Sequence, residues 1–364
     1  MKICLIGKNL VNLVISRAFI NSGINVVLYK NNLEVKHKIS KSRTVGLSQN
    51  SINFLEEQGI KIKKIGHKIN KINLQKNEEE KNFLEFNANK TDRCFTMVKN
   101  DTLFNKVCGS LKKEKLYSEK SIGVEKNYEK ILTKFKNSII INSESNNFIK
   151  KKYFPKSIKK DYHSKAFTSI ITHQNIKNEQ ATQVFTNFGP LAFLPISRKQ
   201  TSIVFSVYNN AELDENKIKE LIKRYNKNYI IKSFQKIESF PIRFSVARKY
   251  VYKNILLFGD NIHRVHPLAG QGFNMTIRDI ITLNSLIKKN ISLGLDLLPC
   301  LKAFEKKRGH SNLLFSHGID FIHEFFKLDN KIGSSYTKKL FNIFNSSLLF
   351  KKLSQQVANS GRLF

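Results

Sequence analysis

Tryptophan is absent from this 364-residue chain and acidic residues are scarce: 28 Asp and Glu stand against 63 Lys and Arg, a formal net charge of +35. Lys, Asn and Ile are used heavily throughout, loops included. Together with the missing Trp, this reads as compositional drift that leaves a dispersed positive background. Nucleic-acid binding would ask for a basic stripe interleaved with aromatics, or for a known recognition motif, and neither is present. Attraction to an anionic membrane would ask for basic residues on an amphipathic helix, and one such stretch occurs late in the chain. Only four cysteines occur, Cys4, Cys94, Cys108 and Cys300. They show no CxxC and no metal-ligand spacing, so they read as small buried hydrophobes in a reducing compartment. No run approaches the roughly 18 apolar residues of a spanning helix. Met1-Lys2 leads straight into a short strand without a long apolar leader, so no signal peptide is expected. The expected location is cytoplasmic, with peripheral contact at the inner face of a membrane as an option.

What is present is organised around one stretch. Ile255-Leu256-Leu257-Phe258 is a short buried-strand run that stops at Gly259-Asp260. A loop with Pro267, Gly270, Gln271 and Gly272 follows, and then an apolar-periodic segment that reads as a helix through Leu283, Leu286 and Ile287. Strand, glycine loop and helix make a nucleotide or cofactor cradle. Glycine lets the backbone approach a ligand, and helix-start amides favour electron-rich atoms. An Asp at the strand's carboxyl end can accept hydrogen bonds from a ligand hydroxyl. An ordinary strand-to-helix connection fits the same spacing.

The amino terminus has a related pattern. Residues 2–7 and 25–30 read as strands on either side of a helix over 10–22 that ends near Gly23, the βαβ opening of a Rossmann domain. Where the fingerprint G-x-G-x-x-G is expected, the chain reads Gly7-Lys8-Asn9-Leu10-Val11-Asn12. Asn9 tolerates left-handed backbone and can keep the turn, but it puts a side chain where a pyrophosphate would approach. Asn12 adds bulk at the helix–sheet contact. Lys30 stands where an acidic residue would meet the adenosine ribose. A purely structural βαβ unit is the alternative.

A resemblance sharpens these readings. Gly259-Asp260-x-x-His263-x-x-His266-Pro267-x-Ala269-Gly270-Gln271-Gly272-x-Asn274-x-x-x-Arg278-Asp279 closely resembles the second flavin motif of the single-component FAD aromatic hydroxylases. Within that family it looks most like the branch that hydroxylates ubiquinone precursors. The resemblance implies that Asp260 contacts the ribityl chain and that Pro267 to Gly272 lie along the isoalloxazine ring. Arg43, with Leu47, Ser48, Ser51, Leu55 and Gly59, resembles a second block of the same branch. It implies that Arg43 faces the FAD pyrophosphate, which suits a guanidinium; a solvent Arg before a helix is the alternative. Ser48 reads as that helix's N-cap.

Val98-x-Asn100-x-x-Leu103 resembles the family's entry into a helix and would put Asn100 near the flavin phosphates, unless it is simply a cap. After a strand ending near 142, Glu144 and Ser145 occupy the family's Asp-Gly positions and Phe148 its Ser position. Glu144 keeps the charge but is one methylene longer, and the lost Gly removes free access to positive φ. Phe188-Gly189-Pro190-Leu191-Ala192-Phe193-Leu194-Pro195 resembles a signature whose following strand borders the substrate cavity; a Gly-Pro turn is the alternative.

The remaining segments are read more coarsely. Residues 60–95 fit edge strands of a substrate sheet, 115–135 alternate loosely as strands, and 165–210 alternate at period two. Residues 212–235 read as a Lys-rich amphipathic helix, the tail from Leu301 as helical, and 338–353 as a basic amphipathic helix. The fold class expected is α/β: a Rossmann-like FAD-binding domain, an interleaved and mostly antiparallel β-sheet substrate domain, and a C-terminal helical tail. Residues 1–60, 96–150 and 252–300 would form the first, 61–95 and 151–251 the second, and 301–364 the third.

The resemblance implies an FAD-dependent monooxygenase that hydroxylates a polyprenyl-phenol precursor of ubiquinone through a flavin hydroperoxide, with NAD(P)H as electron donor. His263 and His266 are the candidates for hydrogen bonding or proton relay near the ring, and packing is an equal alternative for each. Partners implied are the polyprenylated aromatic substrate, a membrane surface met through the basic helix, and other enzymes of the ubiquinone pathway. The worn fingerprint, Lys30 and Glu144-Ser145 favour the competing reading, a non-catalytic or weakly flavin-binding scaffold subunit. An RNA-binding role driven by charge ranks last.

Overall fold

The architecture is that of a computed structural model, which describes residues 1–31, 40–76, 84–87, 94–123, 126–208, 213–266 and 271–332. The continuous apolar runs form a parallel sheet, as expected of strands buried on both faces. Strand β1 (Lys2–Ile6) pairs in parallel with β2 (Asn25–Asn31) on one side and β9 (Ile140–Asn142) on the other. β8 (Tyr117–Ile122) extends the sheet beyond β2, and β17 (Ile255–Leu257) extends it beyond β9. β16 (Val251–Tyr252) closes that edge antiparallel, giving the order β16-β17-β9-β1-β2-β8. Helix α1 (Leu10–Ile20) crosses over from β1 to β2 with Asn9 as its N-cap, and the chain leaves it through Gly23 at φ +76°. Such a left-handed glycine ends a helix at no steric cost.

Helices complete the first core. α2 (Gln49–Glu57) is capped by Ser48, whose side chain accepts from the Ser51 N–H, as its sequence predicts. α3 (Asn100–Leu111) packs beside α1. α4 (Lys126–Lys134) and α5 (Phe148–Tyr153) flank β9 in sequence. α7 (Gln271–Ser292) lies against α8 (Leu298–Ile332), one helix of 35 residues. Leu5, Leu13, Phe19, Leu28, Ile141, Leu256, Phe258, Ile277, Leu283 and Phe304 share one buried core.

The second layer is built on β10 (Ser157–His173), a 17-residue strand. It pairs antiparallel with β13 (Gln200–Val207) on one side and β15 (Glu238–Ala247) on the other. Beyond β13 come β12 (Gly189–Pro195), β11 (Gln180–Thr186), β5 (Lys71–Lys76) and β6 (Leu84–Asn87). β18 (His263–Arg264) pairs with β15 at the far edge, and β14 (Ile231–Phe234) pairs with the end of β10. α6 (Glu215–Arg224) buries Ile218, Leu221 and Ile222 against Ile171, Val184, Leu191 and Phe205 of this sheet. A small third sheet, β3 (Thr44–Leu47), β7 (Phe95–Lys99) and β4 (His67–Ile69), is antiparallel in the order β3-β7-β4.

Four segments depart from the coarse sequence reading. Residues 126–134 are helix α4, because Tyr128, Ile131 and Phe135 recur at three- and four-residue spacing and bury together. The helix expected over 212–235 ends at Arg224, where Tyr225 caps it, and the chain turns through Asn226 to reach β14. Of residues 60–95, β5 and β6 do lie at a sheet edge, but β4 joins the third sheet. Gly189 opens strand β12, at φ +132°, where a Cβ would stand 1.9 Å from the Ser206 carbonyl oxygen. Among the cysteines, Cys4 and Cys300 are buried, whereas Cys94 and Cys108 are partly exposed. No helix among the described residues is long and apolar enough to cross a membrane. The basic helix expected over 338–353 lies outside the described residues.

Candidate functional site

Three parallel strands, β17, β9 and β1, end at the same edge of the first sheet, and the chain leaves each through a polar loop. Ligands of open α/β sheets bind outside such carboxyl ends. β17 continues through Phe258 into a tight turn, Gly259–Asn261. Gly259 takes φ +61°, and a Cβ there would lie 3.3 Å from Val11 of α1, so the turn rests on the first turn of that helix. Asp260 points outward: its side chain is 67% exposed and its carboxylate lies 3.7 Å from the Arg264 guanidinium. The next residue is a staple. Buried Asn261 donates from Nδ2 to the carbonyls of Asn142 (3.1 Å) and Glu144 (2.9 Å), and its Oδ1 accepts from Lys150 Nζ at 2.9 Å. Burial, then the charges of Arg264 and Lys159, push the Lys150 amine down to about 8.

The β1 end is arranged differently. Gly7 takes φ +101° and donates its N–H to the Tyr29 carbonyl at 2.9 Å. Asn9 accepts from the Asn12 N–H (3.1 Å), and its Nδ2 donates to Ser143 Oγ (2.9 Å) across the gap to the β9 loop. Asn12 is buried in the helix–sheet contact; it donates to the carbonyls of Ile6 (2.9 Å) and Gly7 (2.7 Å). Glu144 is also buried, 3% exposed, and accepts from Asn31 Nδ2 (3.1 Å) and the Tyr128 hydroxyl (3.2 Å). Lys30 lies at the end of β2 beside Glu119 of β8, a residue the sequence reading did not single out. Lys8 pairs with that carboxylate at 2.7 Å. Burial alone would raise the Glu119 pKa, but hydrogen bonds from Lys8 and Tyr117 and the charges of Lys8 and Lys30 hold it below the usual range.

Arg43 and Asn100 are neighbours because β3 and β7 pair: the Asn100 N–H donates to the Arg43 carbonyl at 3.0 Å. Asn100 is the first residue of α3 and Lys99 occupies the cap position. The Arg43 guanidinium is exposed and stacks on Phe240 of β15, 4.3 Å from the ring centre. Its charge, after hydrogen bonds from Ser40 and Ser42, helps hold Glu238 below its ordinary value against the opposing effect of burial.

On the α7 side, Gly272 lies in the first turn of the helix, and a Cβ there would touch only Val265, at 3.9 Å. Pro267 to Gly270 lie outside the described residues, and for Gln271 only its place as the first residue of α7 is described. Asn274 is a clamp. Its Oδ1 accepts from the Ser48 N–H (3.0 Å) and the Ser51 hydroxyl (2.8 Å), and its Nδ2 donates to the Gly46 carbonyl (2.8 Å).

Between β18, α7 and α8 lies a buried charged network. His263 Nε2–H donates to Asp279 Oδ2 at 2.8 Å, while Arg308 Nε (2.6 Å) and Asn312 Nδ2 (3.1 Å) donate to the same carboxylate. Burial would raise the Asp279 pKa, but the His263 and Arg308 contacts keep it below the ordinary carboxylate range. An ionised carboxylate fixes the imidazole proton on Nε2, and Nδ1 has no hydrogen-bond partner among the described residues. His266 is buried edge-on to Tyr162, ring centres 5.5 Å apart. Motif spacing showed His263 and Asp279 but not Arg308 and Asn312, which α8 supplies.

The family profile described as FAD binding domain matches residues 162–292. The 3-demethoxyubiquinol 3-hydroxylase of Escherichia coli (strain K12) is 29% identical over 162 residues, covering 41% of this chain and 40% of that protein. The mitochondrial ubiquinone biosynthesis monooxygenase COQ6 of Dictyostelium discoideum is 37% identical over 90 residues, covering 24% of this chain and 18% of that protein. The matched segments thus span less than half the length of these curated relatives. The fold likeness is broader. The p-nitrophenol 4-monooxygenase PnpA of Pseudomonas putida DLL-E4 superposes with a TM-score of 0.77 at 12% identity, over 99% of this chain and 98% of that one. HpxO of Klebsiella pneumoniae, solved with FAD and uric acid, gives 0.73 at 12% identity, over 100% and 98%. Over residues 162–292 the chain is thus similar to the FAD binding domain family, its matched segments are similar to parts of curated hydroxylases named for ubiquinone biosynthesis, and its fold is that of the solved FAD-dependent monooxygenases.

Proposed function

We propose that the chain is an FAD-dependent monooxygenase that hydroxylates an aromatic ring, with NAD(P)H as the electron donor and a polyprenylated phenol on the way to ubiquinone as the substrate. The observation that carries this reading is the exposed Asp260 carboxylate at the carboxyl end of a parallel sheet, between a left-handed Gly259 and the glycine-containing start of α7.

The residues present fit the riboflavin half of the cofactor. Asp260 has free acceptor capacity for ribityl hydroxyls, Gly259 brings backbone close to α1, and Gly272 leaves the helix start uncrowded. The diphosphate half meets Asn9 bridged to Ser143 and a buried Glu144. When bound, FAD would supply the redox chemistry and the activation of O₂. The protein's part is to bind, orient and exclude water. Tyr162, Ala166, Ile242, Phe244 and Val246 form an apolar cluster on the second sheet, and Val265, just before the loop, packs into it. The His263–Asp279–Arg308 network ties β18 to α7 and α8, and His263 Nδ1 has no hydrogen-bond partner among the described residues. The same reading includes peripheral membrane contact through residues 338–353, where a polyprenyl tail would lie, and assembly with other enzymes of the pathway.

The test is an absorbance spectrum with FAD titration, followed by NAD(P)H oxidation with a prenylated phenol and mass detection of the hydroxylated product. Bound flavin with substrate-dependent turnover supports the reading. A colourless protein with no flavin-induced thermal shift sinks it. A second reading, a weakly flavin-binding scaffold subunit, is favoured by the bridged Asn9. It predicts flavin binding without NAD(P)H oxidation.

A further inference from the structure

We infer that Asn9 and Glu144 close the diphosphate crossing of this chain, so that its affinity for a flavin resides in the riboflavin half and the adenylate half adds little. The inference rests on the flavin reading above and specifies which part of the cofactor is gripped.

In a dinucleotide-binding βαβ unit the second glycine of the fingerprint lets the backbone meet the pyrophosphate, which then sits at the helix N-terminus. Here that position is Asn9, in extended backbone at φ −132°, so nothing in the turn itself requires glycine. Its side chain is turned into the protein. Oδ1 caps α1 through the Asn12 N–H, and Nδ2 donates to Ser143 Oγ at 2.9 Å and to the Ser143 carbonyl at 3.3 Å. The amide therefore spans the gap between the first turn of α1 and the loop after β9, which is the path a diphosphate would take.

Charge acts in the same direction. Glu144 sits directly against Gly7: a Cβ on that glycine would lie 2.9 Å from the Glu144 Cβ and 3.1 Å from its backbone nitrogen. Its carboxylate is held by two neutral donors, Asn31 and Tyr128. Among the described residues no lysine or arginine pairs with it. A diphosphate brought over Gly7 would meet this buried negative charge where screening is weak. Lys8, next to Gly7, is paired with Glu119, and the charge of Lys30 also acts on that carboxylate. At the other end of the sheet edge Asp260 is exposed and open to hydroxyl donors. One end of the site offers acceptors to a polyol; the other offers a carboxylate and a bridging amide to an anion.

Calorimetric titration of the full chain with riboflavin and with FAD tests this. In the wild-type protein the two ligands should bind within about tenfold of each other, since a tenfold ratio is a small free-energy difference. Asn9→Gly, which keeps a residue type well tolerated at an N-cap, should tighten FAD by about tenfold and leave riboflavin unchanged. Ser143→Ala removes the shorter bond of this bridge and leaves the one to the backbone carbonyl, so it should act in the same direction, more weakly, if Asn9→Gly does not fold. A wild-type preference for FAD over riboflavin of about a hundredfold or more, or no gain in FAD affinity in either folded variant, overturns the inference while leaving the flavin reading standing. Failure of both ligands to bind any variant removes the flavin reading and this inference with it.

Discussion

Asp260 and Glu144 are both carboxylates just beyond the ends of neighbouring parallel strands, β17 and β9, at a strand spacing of about 5 Å. Asp260 has a side chain 67% exposed and one loose contact to Arg264. Glu144 is 3% exposed, and each of its carboxylate oxygens accepts a hydrogen bond, from Asn31 and from Tyr128. The same residue chemistry at equivalent places in the sheet thus serves opposite ends. An acid left in solvent at a strand end keeps its acceptors for a ligand. One folded inward becomes part of the packing, and its charge then works against any anion brought near. The Asp260 end also has a buried ionic support in Asp279, while the Gly7 end is braced by neutral amides.

The contrast can be broken at several points. The largest effect is expected from Asp279→Ala, which strands Arg308 and His263 in the interior. Removing one partner of a buried pair costs about 3–5 kcal/mol, and urea unfolding with a lowered midpoint is the measurement. Next comes Gly7→Ala. A side chain at φ +101° that also meets Glu144 at 2.9 Å should cost about 2–3 kcal/mol, read as a fall in Tm. Asp260→Ala should do the reverse, leaving Tm unchanged while weakening flavin binding by about tenfold, the loss of a charged acceptor. If Asp260→Ala destabilises the fold instead, the comparison fails.

Two smaller effects depend on pH. The folded pKa of Asp279 is depressed, so its contribution to stability is present above the unfolded value of about 3.9 and is lost as pH falls below it toward the folded value. Unfolding midpoints should therefore drop in that acid range and drop less steeply in Asp279→Asn. Lys150, pushed down to about 8, has a neutral fraction near that pH that surface lysines lack. Peptide mapping after brief treatment with an amine-reactive acylating reagent at that pH should find Lys150 among the first residues modified.

The elements built from local pattern were legible in the sequence. β1, α1 and β2 follow from two apolar runs around a capped helix, and the Gly259-Asp260 turn follows from an apolar run that stops abruptly. α4 was missed because its lysines mask the spacing of Tyr128, Ile131 and Phe135. The end of α6 had a visible signal in the asparagines at 226 and 228, where side chains compete for backbone hydrogen bonds. The site was half legible. Asn9 was recognisable as an intruder in a glycine position, but its bridge depends on Ser143, 134 residues away. Arg308 and Asn312 carried no motif, because their role is set by where α8 packs.

The order of strands has a consequence for how the chain is made. β17 completes the first sheet on β9, and β15 and β18 complete the second on β10, so both sheets await the segment from Glu238 to Arg264. A ribosome adding about 5–20 residues per second needs roughly 5 to 20 seconds to pass from His173 at the end of β10 to Arg264. Throughout that interval the growing polypeptide exposes the edges of β9 and β10 together. The protein is therefore an expected client of nascent-chain chaperones, and truncation anywhere before Arg264 should give insoluble product.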